Sequence, residues 1–150
     1  MTAGTCGLRL HHIGFVVPDI ASGVSGFVRS LGATWDGRIY EDPHQAVKVT
    51  FLTTRLGDSL IELVEPTGDR SPVRRFLKER GGGIHHLCYE VVDLDRHMAE
   101  MKSTGALIAR RAKPAVAFQG RRIGWMLTAE KLLVELLEES GPDGPAAHSF

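Results

Sequence analysis

Four residues of this chain have the types and the spacing to hold a cation: His12, Glu62, His86 and Glu135. Each histidine is the second of a pair inside a repeated stretch. Leu10-His11-His12-Ile13-Gly14-Phe15-Val16-Val17 returns as Ile84-His85-His86-Leu87-Cys88-Tyr89-Glu90-Val91. Each acid sits in a second echo, Leu60-Ile61-Glu62-Leu63-Val64-Glu65 and Leu133-Val134-Glu135-Leu136-Leu137-Glu138. Glu62 follows His12 by 50 positions and Glu135 follows His86 by 49. An acid inside an apolar strand is costly unless something satisfies it. One such acid is an accident, whereas the same acid at matching places in two copies suggests a shared job. Two imidazoles and two carboxylates suit a divalent ion such as Zn²⁺, Ni²⁺, Co²⁺, Mn²⁺ or Fe²⁺, and the two negative charges balance it. Four protein ligands on a six-coordinate ion leave two adjacent positions for two oxygens of a substrate. An ion so placed stabilises the enolate formed when a carbon beside a carbonyl loses its proton. A carboxylate at its edge, Glu135 or Glu62, can take that proton as general base.

Positioning these residues needs two copies of one plan. Residues 8–17 alternate as a strand, with Leu10, His12, Gly14 and Val16 on one face and His11, Ile13, Phe15 and Val17 on the other. Asp19 caps a helix running to about Ser30 and ended by Gly32. Strands are expected over Thr34–Glu41, Ala46–Thr54 and Ser59–Glu65. Ser71, with Pro72 behind it, caps a linker helix at about 71–79, and Gly81-Gly82-Gly83 ends it. The second copy has a strand at 84–92, a helix from about Asp93 to Ser103, and strands near 106–110, 116–127 and 131–138. This predicts an α+β fold of two βαβββ modules, about 8–66 and 83–138, within a single domain. The two curved sheets would make a cup with helices outside and bring all four residues together. Residues 1–7 read as a loose end and about 140–150 as a disordered tail. By parity His11 and His85 face the helices and serve as structural neighbours of the ligands. His44, His97 and His148 lack partner motifs and read as surface residues.

The bulk properties narrow the classes. With 18 basic and 18 acidic residues, the formal charge is zero, so nothing favours nucleic acid or an anionic membrane. No apolar run approaches a bilayer span, and the N-terminus lacks a signal-peptide pattern. Cys6 and Cys88 make no disulfide framework, which fits a cytoplasmic protein with reduced thiols.

Over roughly residues 8–138 the sequence resembles the vicinal oxygen chelate superfamily, and within it methylmalonyl-CoA epimerases. The segments that carry this are Leu10-His11-His12-Ile13-Gly14-Phe15-Val16-Val17-Pro18-Asp19, Val47-Lys48-Val49-Thr50-Phe51 through Ile61-Glu62-Leu63-Val64-Glu65-Pro66, and Ser71-Pro72-Val73-Arg74-Arg75-Phe76-Leu77-Lys78 before Gly82-Gly83-Ile84-His85-His86. The resemblance implies one divalent metal ion on His12, Glu62, His86 and Glu135, a small-molecule substrate of the acyl-CoA thioester kind, and a homodimer. It also implies a site role for Lys48, where some epimerases carry a catalytic Glu. There Lys48 would hold an anionic group or oxyanion, against the plainer reading of a solvent-facing strand lysine. The family's His-Pro turn is replaced by Met126-Leu127-Thr128-Ala129-Glu130-Lys131. Arg121, Arg122 and Trp125 nearby are candidates for substrate contact, with turn and core roles as the default.

The leading function is a metal-dependent epimerase or isomerase that exchanges a proton alpha to a carbonyl. A glyoxalase I-like lyase acting on a thiol adduct would use the same two-His, two-Glu set. A biosynthetic enzyme of the same superfamily, or a non-catalytic drug-binding resistance protein, would also be built on this cup.

Overall fold

The computed structural model describes residues 8–55 and 57–141. The expected loose end over 1–7, and all but the start of the expected tail, lie outside the described residues. The described residues form two compact units, one within His12–His86 and a second joining Leu87–Gly141 with Leu8–His11.

The first unit takes most of β1 (Arg9–Val16), α1 (Ile20–Leu31), β2 (Thr34–Trp35), β3 (Tyr40–Asp42), β4 (Val47–Thr53), β5 (Leu60–Pro66), α2 (Arg74–Arg80) and the start of β6 (Gly83–Val91). Its sheet runs β2-β4-β5-β1, with β3 also on β4. β1 and β5 are parallel, whereas β4 and β5 are antiparallel. Asp19 caps α1 by accepting the Ser22 N–H at 3.0 Å, and Gly32 closes it in the left-handed region. Gly23 and Gly26 cost this helix roughly 1 kcal/mol each. Burial offsets that: Ile20 and Val24 pack with Leu52, Ile61 and Leu63, and each fully buried side chain contributes about 1.5–3 kcal/mol. Gly23 has its own reason, since a Cβ there would crowd Leu63 Cδ1 at 3.1 Å.

Two expectations need correction here. The strand expected over Thr34–Glu41 is broken, because Asp36 Oδ1 accepts the Arg38 N–H at 2.9 Å and Gly37 takes φ 82°. Ser71 does not cap the linker helix. Its carbonyl accepts the Arg74 N–H in a turn through Pro72, and α2 begins at Arg74 with Val73 at the cap and no side-chain bond.

The second unit holds the rest of β6, then α3 (Leu94–Ser103), β7 (Leu107–Pro114), a 3-10 turn (Val116–Phe118), β8 (Arg122–Leu127) and β9 (Leu133–Glu138). Its strands order as β6-β9-β8-β7, with β6 and β9 parallel. Asp93 caps α3 by accepting the Arg96 N–H, and Leu94 and Met98 pack on Met126, Val134 and Leu136. The strand expected at 116–127 opens instead as the 3-10 turn, because Gln119 and Gly120 both take positive φ. The second unit thus carries the βαβββ plan, the first carries it with its second strand split into β2 and β3, and the class is α+β. Among the described residues no helix is long and apolar enough to cross a membrane.

The second unit buries one acid that owes nothing to the metal argument. Glu90 accepts from Arg9 Nη2 at 2.5 Å and from Arg121 Nη2 at 2.8 Å, while Arg121 Nε donates to the Glu138 carbonyl. Burial pushes the Glu90 carboxyl up, but the two arginine bonds outweigh it and hold the group below its ordinary value. A carboxyl depressed by folding contributes stability above the unfolded value, and loses it as pH falls through the folded one. Glu90→Gln is therefore expected to cost about 1.5–3 kcal/mol near neutral pH. In acid the gap should close, read as melting temperatures of both proteins from pH 7 to pH 3.

Candidate metal centre

Strand register sorts the first unit into two faces. Gly14 lies level with Glu62 across the parallel pair, and Phe51 stands opposite Glu62 across the antiparallel one. Phe15, Leu52, Ile61 and Leu63 belong to the α1 core. His12, Gly14, Phe51 and Glu62 alternate with them and share the opposite face. His86 closes the unit. The relative exposures of His12, His86 and Glu62 are 0%, 1% and 4%.

On that face three donor groups converge. The two Nε2 atoms of His12 and His86 stand 3.1 Å apart. Glu62 Oε2 is 3.5 Å from Nε2 of His12, and Oε1 is 3.4 Å from Nε2 of His86. Donors about 2.1 Å from one ion stand roughly 3.0–3.4 Å from each other at octahedral to tetrahedral angles, so these separations suit a shared cation. Burial pushes the Glu62 carboxyl up to about 8. A desolvated acid between two imidazoles is what a divalent cation would relieve. The donor set fits the ion that the residue types imply.

Two neighbours shape His86. A Cβ built on Gly14 would run into the His86 ring. Gly14→Val is therefore expected to lower metal affinity by at least 10-fold, the scale of a lost supporting contact, checked by competition with a chromophoric chelator. On the other side, Nδ1 of His86 lies 3.0 Å from Nδ1 of His85. Burial, and after it the repulsion His86 would exert when protonated, pushes His85 down to about 4.

Lys48 is not brought to this face. It pairs with Glu41 and Glu65, alternating with Val49 and Phe51, and so lies on the α1 side of β4. Lys48 is half-buried there, between Glu41 and Glu65, and not the solvent-facing lysine of the plainer reading.

Glu135 belongs to the second unit and is 3% exposed there. It is level with Cys88 and opposite Trp125, on the face away from the α3 core of Met126, Val134 and Leu136. The Cys88 thiol points to Glu135 Oε1 at 3.7 Å. His12, His86 and Glu135 each carry a buried atom able to ligate a cation. Trp125 shares the face of Glu135. Arg121 is tied to Glu90, and Arg122 makes a two-pronged bond to Glu138 and another to Asp95, so both arginines brace the fold. His11 meets Phe118 edge-on at 5.4 Å, in the 3-10 turn and not on a helix. His85 does face a helix, its ring 5.0 Å from Phe76 of α2. His44 is exposed, His97 lies 4.0 Å from Glu100, and His148 is outside the described residues.

Residues 11–125 match the glyoxalase/bleomycin resistance protein/dioxygenase superfamily. The chain belongs to this superfamily. Among its relatives, the ethylmalonyl-CoA/methylmalonyl-CoA epimerase of Cereibacter sphaeroides is 35% identical over 116 residues, covering 77% of this chain and 84% of that protein. The mitochondrial methylmalonyl-CoA epimerase of Mus musculus is 31% identical, covering 79% of this chain and 70% of its own. The crystal structure of methylmalonyl-CoA epimerase from Mycobacterium tuberculosis aligns with a TM-score of 0.78 at 26% identity, over 94% of this chain and 93% of that one. The Streptomyces coelicolor epimerase in complex with 2-nitronate-propionyl-CoA aligns with a TM-score of 0.76 at 25% identity, over 90% of this chain and 99% of its own. This superfamily member is an enzyme of the epimerase type, an isomerase. The α+β class and the isomerase expectation stand.

Repetition in the sequence singles out His12, Glu62 and His86. It does not disclose what supports His86. The small residue after each His-His pair, Gly14 or Cys88, is a visible signal, but its partner across the fold is not.

Proposed function

We propose that the chain epimerises the thioester of coenzyme A with a 2-substituted malonate, using one divalent cation held by His12, Glu62, His86 and Glu135. The observation that carries this is the convergence of three buried donors, His12, His86 and Glu62, within 3.5 Å of one another. Relatives named for the epimerisation of methylmalonyl-CoA and ethylmalonyl-CoA support the substrate class. Structures of epimerases bound to methylmalonyl-CoA or 2-nitronate-propionyl-CoA support it as well.

When bound, the cation supplies charge stabilisation for the enolate form of the thioester. The chain's own residues do the rest. His12 and His86 present their Nε2 atoms, and burial keeps bulk water from them. Glu62 and Glu135 carry the negative charge that the ion requires, and either carboxylate can accept the α-proton and return a proton to the carbon. Phe51, whose ring meets His12 edge-on at 5.6 Å, gives this face an apolar wall. Lys48, on the α1 side of β4, takes no part.

The test is proton exchange. Cobalt-loaded protein incubated with methylmalonyl-CoA in D₂O should place deuterium at the α-carbon. No exchange with methylmalonyl-CoA or ethylmalonyl-CoA would overturn the proposal, and turnover of methylglyoxal hemithioacetal would instead favour a glyoxalase-like lyase.

A further inference from the structure

We infer that His85 is a positioning residue that fixes the tautomer of His86; the inference rests on the metal centre proposed above. Adjacent residues of a strand point to opposite faces, yet Nδ1 of His85 comes to 3.0 Å from Nδ1 of His86. Only one proton can lie between two nitrogens at that separation. His86 directs its Nε2 toward Nε2 of His12 and Oε1 of Glu62. A neutral imidazole ligates through the nitrogen that lacks a proton, so His86 must carry its proton on Nδ1 to offer Nε2. That Nδ1–H then donates to His85, whose Nδ1 must be bare and whose own proton sits on Nε2. His85 accordingly selects the form of His86 that can bind a cation, as the outer partner of a metal-bound histidine does elsewhere.

The linker helix holds His85 in place. Phe76 of α2 meets the His85 ring edge-on at 5.0 Å with an interplanar angle of 87°. The Arg80 guanidinium lies over the other ring of this stack, 5.2 Å from the Phe76 centroid. Gly81, at φ 73°, ends α2 just before β6, which fixes the distance from Phe76 to His85. A helix with no buried residue of its own thus gains a role: it seats the ring that orients a ligand.

Substitution by shape separates this from simple packing. His85→Phe keeps a ring against Phe76 and removes the acceptor. His85→Asn places an amide oxygen near the position of Nδ1, whereas the Gln amide in His85→Gln lies near that of Nε2. Cobalt affinity of the apoprotein is read by competition with a chromophoric chelator, alongside the melting temperature of each apoprotein. His85→Phe and His85→Gln should each lose roughly 10–100-fold in cobalt affinity, and His85→Asn should recover most of it with no matching trend in melting temperature. Wild-type affinity in His85→Phe and His85→Gln, or equal losses in all three variants, would overturn the inference alone. A wild-type chain that takes up no cobalt would overturn the metal centre and this inference together.

Discussion

Replacing Glu62 with glutamine is expected to move two properties in opposite directions. Without a cation the Glu62 carboxyl is buried, and burial pushes it up to about 8. Near neutral pH the unfolded chain ionises this acid freely while the folded chain does not, so the group costs stability. A neutral amide of the same shape removes that cost, and apo Glu62→Gln should be more stable by roughly 1–3 kcal/mol. Metal affinity should fall instead, by well over the 10–100-fold typical of losing an outer-shell partner, because a charged oxygen between two imidazoles is gone. Thermal melting of the apoprotein and chelator competition read the two effects separately. A variant that is both less stable and undiminished in affinity would mean that Glu62 is an ordinary structural acid.

Glu135→Ala should lose most of its bound metal and roughly 10²–10⁴-fold in kcat, the range for removing a general base. It should stay folded, because the α3 core of the second unit lies on the other face of β9. Circular dichroism and elemental analysis of the same preparation check both halves of this statement. Lys48→Ala is the control. Lying with Glu41 and Glu65 on the α1 side, it should leave metal content and turnover unchanged.

The contrast between Glu62 and Lys48 shows what the sequence could reveal. Duplication made Glu62 legible, since an acid in an apolar strand is informative only when a second copy repeats it. Lys48 had no counterpart, and its place rested on resemblance. Strand parity counted from Glu62 through the Phe51 pairing would have put it on the other face, but that pairing is a register, which in a hairpin depends on turn type and loop length. The helices were legible from Asp19, Gly32 and Asp93, because caps are local chemistry. The break at Gly37 and the 3-10 turn before β8 were less so. Each depends on a few residues with positive φ inside stretches whose composition still suits a strand. The bond between His85 and His86 was beyond reach, because alternation alone sends the two rings apart.

Metal stoichiometry shows directly whether His12 and His86 hold one cation. Wild-type protein stripped with chelator, reconstituted with cobalt and desalted should retain one ion per chain. The His12→Ala/His86→Ala double variant, treated identically and still folded, should retain none. A wild-type chain that emerges empty, or a double variant that keeps a full equivalent, would contradict the account.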